Sequence, residues 1–319
     1  MYTNVSKPTG SNYTNLQKIV GAWDLAEAVF SDSVSIVANS ENPEGLYIRG
    51  DGKKVYILDT SNDNVSEYEM VVPWEITTLV FTQTLDVGAQ DSGAEAIFFK
   101  PDGLKMYMLG ITGDRVYEYD LSVAWDISTA VNNATKSISA QDTTARGLFF
   151  KYDGLKMYLS GSQNDKIYEY DLTTAWDVTT ASFLQDISIA SQTTSPDGIF
   201  FRSDGKKMYM VDGDKVIEYG LSTAWNISTL SFEQLITPSQ SGGSIFGLSF
   251  SPDGTDLILT NGDTHKLDKY ELTTDFTMVP KPTGYAILGA GMTMGLLMPL
   301  TYPTATTVGN PYININKPT

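Results

Sequence analysis

The sequence predicts an all-β protein, a five-bladed β-propeller of four-stranded antiparallel blades, and three observations predict it. A hairpin phrase is said three times with small changes, as "AIFFKPDGLKMYMLG" at 96–110, "GLFFKYDGLKMYLSG" at 147–161 and "GIFFRSDGKKMYMVD" at 198–212. The Asp-Gly turns at Asp51, Asp102, Asp153, Asp204 and Asp253 keep intervals of 51, 51, 51 and 49 residues. All five tryptophans, Trp23, Trp74, Trp125, Trp176 and Trp225, keep the same intervals, and Phe276 takes the next beat. A repeat of ~50 residues is the sequence signature of a radial array.

Within each unit the elements come in a fixed order. In the copy from Ile97 onward, "IFFK" reads as a strand, "PDGL" as a turn, "KMYMLG" as a second strand, "TGDR" as a turn and "VYEYDL" as a third strand. Apolar runs bounded by turn residues carry these assignments, and the β-branched and aromatic content suits pleated positions. The connector "SVAWDIS" leads to a fourth strand near 131–139. Both faces of the second strand are apolar, Met106 and Met108 on one and Tyr107 and Leu109 on the other. Each sheet must therefore be covered on both sides, which a ring of like sheets achieves.

Complete three-strand sets begin near Leu46, Ile97, Leu148, Ile199 and Leu248, and fourth-strand segments lie at 29–36, 79–87, 131–139, 183–189 and 230–236. The first of these segments precedes every complete set, so the ring closes only if the N-terminal strand completes the last blade. A sixth blade would need strands after Phe276. The expected organisation is an N-terminal arm over 1–22, the ring over 23–276 and a C-terminal apolar or extended assembly segment over 277–319.

Composition narrows the function. The formal charge of -17 opposes nucleic acid, whose binders gain affinity from basic residues that displace counterions. The same charge opposes loose attachment to anionic membranes. The chain has no cysteine and one histidine, His265, which leaves thiolate metal sites, cysteine nucleophiles and histidine triads without parts. The N-terminus lacks the basic and apolar regions of a secretory signal. Residues 284–300, "GYAILGAGMTMGLLMPL", are uncharged but glycine-rich and barely long enough to span a bilayer, so a buried contact surface is the expectation.

The turn motif in "LSFSPDGTDLILTN" at 248–261 and "IFFKPDGLKMYML" at 97–109 resembles the Ser-Pro-Asp-Gly repeats of bacterial and archaeal propellers, including those whose second strand reads Tyr-Val-Thr-Asn. That resemblance implies architecture; the fold hosts lactonases, glycosidases, lectins and scaffolds alike. The end phrases "YTNVSKPTGSNYTN" and "NPYININKPT" look like the boundary phrases of tailed-phage structural and tail-fibre-like proteins. Lys-Pro-Thr recurs as Lys7-Pro8, Lys281-Pro282 and Lys317-Pro318 with their threonines, and proline-fixed extended segments suit binding along another protein. The resemblance implies a non-enzymatic virion component on the particle exterior, made in a host cytoplasm without a signal peptide and needing no cofactor. Its assembly residues would be Tyr2, Lys7, Pro8, Lys281, Pro282, Leu296, Leu297, Tyr312, Lys317 and Pro318. Its partners would be other virion proteins, further copies of itself, or a host surface glycan.

Candidate sites each carry a plainer alternative. The Asp-Gly pairs offer calcium-type oxygens, but a tight turn needs the same residues, with glycine accepting positive φ. His265 reads as a solvated turn residue. Trp74, Trp125, Trp176 and Trp225 are candidate sugar platforms in a lectin or adhesin, against a packing role once per blade with the following Asp or Asn satisfying a turn. A lactonase- or glycosidase-type enzyme would gather unlike groups at the central channel, yet the copies read as diverging mostly in loops and no carboxylate pair stands out. No catalytic or metal-binding residue is therefore assigned.

Overall fold

Apolar runs alternating with Asp-Gly and polar turns become strands and tight turns in a computed structural model that describes residues 22–239 and 242–272. The first strand, β1 (Val29–Ser35), precedes every complete hairpin set. The first blade is β2 (Pro43–Ile48), β3 (Lys54–Asp59), β4 (Asn64–Met70) and β5 (Leu79–Asp86), and the second is β6 (Ala94–Phe99), β7 (Lys105–Gly110), β8 (Arg115–Leu121) and β9 (Ala130–Ser137). The third is β10 (Ala145–Phe150), β11 (Lys156–Gly161), β12 (Lys166–Leu172) and β13 (Ala181–Ser188), and the fourth is β14 (Ile199–Phe201), β15 (Lys207–Asp212), β16 (Lys215–Leu221) and β17 (Leu230–Ile236). Then come β18 (Ile245–Phe250), β19 (Asp256–Asn261) and β20 (Lys266–Glu271), and β1 adds to β20 to complete the fifth blade in the order β1-β20-β19-β18. Val29 opposes Glu271 and Ser35 opposes Lys266, so the expected closure by the N-terminal strand is present, and the protein is a five-bladed propeller.

The inner strands β2, β6, β10, β14 and β18 contact one another around the axis. The second strand of each blade lies between neighbouring sheets, which is why it is apolar at consecutive positions. Val55, Tyr56, Ile57 and Leu58 are fully buried, as are Met106, Tyr107, Met108 and Leu109. Outer strands face solvent and carry exposed apolar residues such as Val80, Val131, Phe183 and Phe232. Each outer strand also bears one bulge, at Thr82, Asn133, Leu184, Glu233 and Ser31. An added residue twists the edge and spoils it as a template for a further strand.

Polar ties cross the joints between blades. Buried carboxylates of the third strands pair with a lysine of the second strand in the same blade: Lys54 with Glu67, Lys105 with Glu118, Lys156 with Glu169 and Lys207 with Glu218. Gln83, Gln185 and Gln234 bridge onward. Each donates to its own blade's glutamate, at 2.9, 2.8 and 2.6 Å, and to the capping residue of the next blade, Asp126, Asn226 or Asp24, at 2.9 Å. In the second blade Ala134 stands where the glutamine would be, and Glu118 keeps only the direct contact from the Val178 amide at 3.0 Å, which Glu67 and Glu169 also make, with the Ile127 and Ile227 amides at 3.5 and 3.2 Å.

Tyrosines of the second strands make a further tie. The hydroxyls of Tyr56, Tyr107, Tyr158 and Tyr209 donate to the carbonyls of Trp125, Trp176, Trp225 and Trp23 in the next blade, at 2.6–2.7 Å. At the joint from the fifth blade to the first, Ile258 holds the tyrosine's place and the tie is missing. Tyr158→Phe should therefore cost about 1–2 kcal/mol, because it leaves the Trp225 carbonyl without its buried donor. Urea denaturation checks this; an unchanged midpoint would show that the tie adds nothing.

Candidate binding site at one end of the channel

The tryptophans are placed by their backbone first. All five sit in the left-handed region, with φ between 63° and 66°, a conformation that costs a non-glycine residue about 1–2 kcal/mol. Each Trp amide donates to the carbonyl of its blade's turn glycine, as Trp125 does to Gly103 at 2.9 Å and Trp176 to Gly154 at 3.0 Å. The indole then lies against that glycine: a Cβ at Gly154, where φ is +73°, would come within 2.4 Å of Trp176. Ring centroids of Trp125 and Phe99, Trp176 and Phe150, and Trp225 and Phe201 are 5.6, 5.7 and 5.6 Å apart. Trp176 and Trp225 are only 7% and 9% exposed, and Trp74 and Trp125 are half-buried. Asp126, Asp177 and Asn226, which follow three of them, cap the next turn through side-chain oxygens at 3.0–3.1 Å. This is the geometry of packing once per blade.

The Asp-Gly turns are turns, with Gly52, Gly103, Gly154, Gly205 and Gly254 at φ of +69° to +75°. Among the described residues no three acidic or imidazole side chains converge closely enough to hold a metal ion. His265 takes the left-handed position that Asp63, Asp114 and Asp165 hold in other hairpin tips, but its ring is half-buried and Nδ1 is shielded from solvent without a hydrogen-bond partner. Of the sequence-derived assembly residues, Tyr2, Lys7, Pro8, Lys281, Pro282, Leu296, Leu297, Tyr312, Lys317 and Pro318 all lie outside the described residues, as does the apolar stretch 284–300. No helix among the described residues is long and apolar enough to cross a membrane.

The site that sequence reading missed lies near the N-terminal ends of the inner strands. Equivalent positions in the five blades hold Glu44, Glu95, Arg146, Asp197 and Phe246. The copies thus diverge at an inner-strand position as well as in loops, and three carboxylates do come to one ring. Two residues further along each strand, Leu46, Ile97, Leu148, Ile199 and Leu248 form an aliphatic floor, each 3–8% exposed. The intervening position is small because the strands nearly touch: a Cβ at Gly147 would lie 2.6 Å from the Asp197 carbonyl oxygen, and one at Gly198 2.6 Å from that of Phe246. Glu95, Arg146, Phe246 and the floor line a small recess of about 20 Å³, open to solvent, with room for about one water.

The electrostatics of this ring are unbalanced. Arg146 Nη1 lies 3.2 Å from Asp197 Oδ1, and Asn42 donates to Glu44 Oε1 at 3.2 Å. Burial, then the charges of Glu95 and Asp197, push the Glu44 carboxyl up to about 8 against the pull of Arg146 and Asn42. Burial pushes Asp197 up to about 7 although Arg146 opposes it, and burial also raises Glu95. One guanidinium is shared among three carboxylates, too few positive charges to keep all three ionised at neutral pH.

No family model matches the sequence, and no curated relative matches it. Solved structures similar to it include a functionally unknown protein of Desulfotomaculum acetoxidans, at 13% identity over 76% of this chain and 73% of that one, with a TM-score of 0.46. A periplasmic gluconolactonase of Pseudomonas aeruginosa is 15% identical over 77% of this chain and 72% of its own, with a TM-score of 0.42. A β-propeller domain from Myceliophteria thermophila is 8% identical over 77% of this chain and all of its own, with a TM-score of 0.44.

Proposed function

We propose that the chain is a non-enzymatic structural component of a phage virion, a tail-fibre-like adhesion or decoration module held on the particle through the segments that flank its ring. The observation that carries this reading is where the described residues of the ring begin and end. The Trp23 amide donates to the Gly254 carbonyl at 2.9 Å, and the Leu272 amide donates to the Thr255 carbonyl at 2.7 Å. The two ends of the described ring therefore lie beside consecutive residues, Gly254 and Thr255, of one turn in one blade. A ring completed by its own first strand needs no partner strand to close.

Charge supports the same reading. Residues 1–21 and 277–319 contain Lys7, Lys18, Lys281 and Lys317 and no acidic residue, so all 38 aspartates and glutamates fall in 22–276. Flanking sequences with basic residues and no acidic ones suit attachment to an acidic protein surface, a second copy of this ring included. Deleting 277–319 should leave a folded ring that no longer joins the particle. Mass spectrometry of purified particles, alongside circular dichroism of the truncated chain, tests this, and normal incorporation of the truncated chain would refute the anchoring role.

A further inference from the structure

We propose that the ring has a built-in seam and opens between its fifth and first blades while every blade stays whole. The inference is independent of the virion reading. It rests on comparing the five joints position by position. In the other four, a second-strand tyrosine packs on a phenylalanine of the next blade's inner strand: the rings of Tyr56 and Phe99, Tyr107 and Phe150, Tyr158 and Phe201, and Tyr209 and Phe250 lie 4.2–4.5 Å apart. Between the fifth and first blades the same two positions hold Ile258 and Ile48. Tyr47, Phe98, Phe149 and Phe200 each stack on the next blade's tryptophan at 6.1–6.4 Å. Ser249 takes that place before Trp74, which has no aromatic ring against it among the described residues.

The polar ties fail at the same joint. Ile258 has no hydroxyl to offer the Trp74 carbonyl. Lys269, a donor, stands where Glu67, Glu118 and Glu169 accept from the amides of Ile127, Val178 and Ile227. Asp32 stands where Gln83, Gln185 and Gln234 bridge to the next blade, and Glu75, at the bridged position, makes no side-chain cap. The Thr260 hydroxyl does donate across to the Glu44 carbonyl at 3.2 Å, but the joint of the third and fourth blades has the counterpart, Ser160 to the Asp197 carbonyl, in addition to all the rest. What holds the seam is an aliphatic cluster that includes Leu46, Ile48, Val55, Ile76 and Ile258. Smaller side chains bury less area, so this joint gives up apolar contact as well as hydrogen bonds. Every strand ladder lies within a blade, so parting the blades here breaks none of them, and residues 36–42, which join β1 to β2, serve as the hinge. Such an opening is a sub-global event, distinct from unfolding.

The experiment is thiol labelling of the full chain, which has no cysteine of its own, so that one introduced thiol reports one joint. Ile76, Ile127 and Ile227 are equivalent: each begins a short helical turn that packs against the outer strand of the preceding blade, and each is fully buried. Ile76→Cys reports the seam, Ile127→Cys the joint of the first and second blades, and Ile227→Cys that of the third and fourth. Under native conditions iodoacetamide should alkylate Ile76→Cys about tenfold or more faster than either of the others, with a rate that rises only weakly in low urea because little surface is exposed. Urea midpoints of the three variants remove any difference in global stability. Hydrogen exchange separates this opening from release of β1: the amides that pair β20 with β1 should be protected about tenfold or more beyond the opening seen at position 76. Asp256→Lys, Lys269→Glu and Asp32→Gln together, in the Ile76→Cys chain, restore an acceptor for the amide at 76 and should slow its alkylation towards that of the other two. Equal alkylation of the three single cysteines would overturn the proposal, whether or not the combined variant folds. So would exchange of the β20 amides through the same opening, which would mean that β1 peels away instead, or unchanged alkylation in a folded combined variant.

Discussion

Lys269→Glu is expected to destabilise the ring by about 3–5 kcal/mol, and adding Asp256→Lys to it should restore most of that loss. The expectation comes from comparing blades as if they were relatives. In the first four, a lysine opens the second strand and a buried glutamate in the third strand faces it. In the fifth, the same two positions hold Asp256 and Lys269, 3.4 Å apart, with the charges exchanged. The exchange keeps one charge of each sign at that position in all five blades. Lys269 is only 9% exposed and Asp256 18%, so neither charge can turn to water cheaply. Burial already raises the Asp256 carboxyl while Lys269 pulls it down, and a glutamate in place of the lysine would remove that pull and add repulsion. The double variant recreates the arrangement of the other blades, except that Asp32 stands where the first, third and fourth blades have a bridging glutamine. A third change, Asp32→Gln, should complete the rescue. Urea denaturation of the four proteins decides it. If the double variant is no more stable than Lys269→Glu alone, the pair is not a functional unit of the fold.

The ring was legible in sequence because its demands repeat. Trp and Asp-Gly mark the period since one glycine at positive φ and one indole over it are required in each blade, and the fourth-strand segment at 29–36 had no other blade to complete. The joints were less legible. The tyrosine-to-tryptophan ties span 67–69 residues in the chain, or 186 at closure, and nothing in a strand pattern distinguishes Tyr56 as a donor from Tyr56 as a core residue. The channel site was hidden for the opposite reason. Its five residues share no chemistry, so a search for recurring motifs passes over them; aligning the five copies and asking where charge appears inside the inner strand would have found Glu44, Glu95, Arg146 and Asp197 at once. The assembly residues of the flanking segments lie outside the described residues, and their proposed role rests on the repeated Lys-Pro-Thr phrases and on the single turn beside which the described ring begins and ends.

Alkaline solution should weaken this ring through Glu44, and Glu44→Gln should abolish much of that weakening. The sign comes from proton linkage. A carboxyl whose pKa is higher in the folded protein than in the unfolded chain favours folding most when it is protonated in both, and that contribution disappears as pH rises through the folded value. For Glu44 the window runs from the usual carboxylate range up to about 8, and for Asp197 up to about 7. With about 1.4 kcal/mol for each unit of separation, the loss from Glu44 is on the order of 3–5 kcal/mol. The turn aspartates act in the other direction. Although burial works against it, salt bridges and turn amides hold Asp51, Asp102, Asp153 and Asp204 below the usual range, so the stability they add is present above that range and lost as pH falls through their folded values. Stability should therefore peak near pH 5 and decline towards pH 9. General repulsion in a chain of charge -17 also grows with pH, but it is nearly the same in parent and variant, so their difference isolates the channel. Glutamine retains the hydrogen bond from Asn42, whose donor needs only an oxygen. Denaturation midpoints for the two proteins should nearly coincide at pH 5 and separate by pH 9, with Glu44→Gln the more stable. Parallel profiles across that range would mean that Glu44 ionises freely in the folded ring and that the crowding of charge at the channel end is relieved by water.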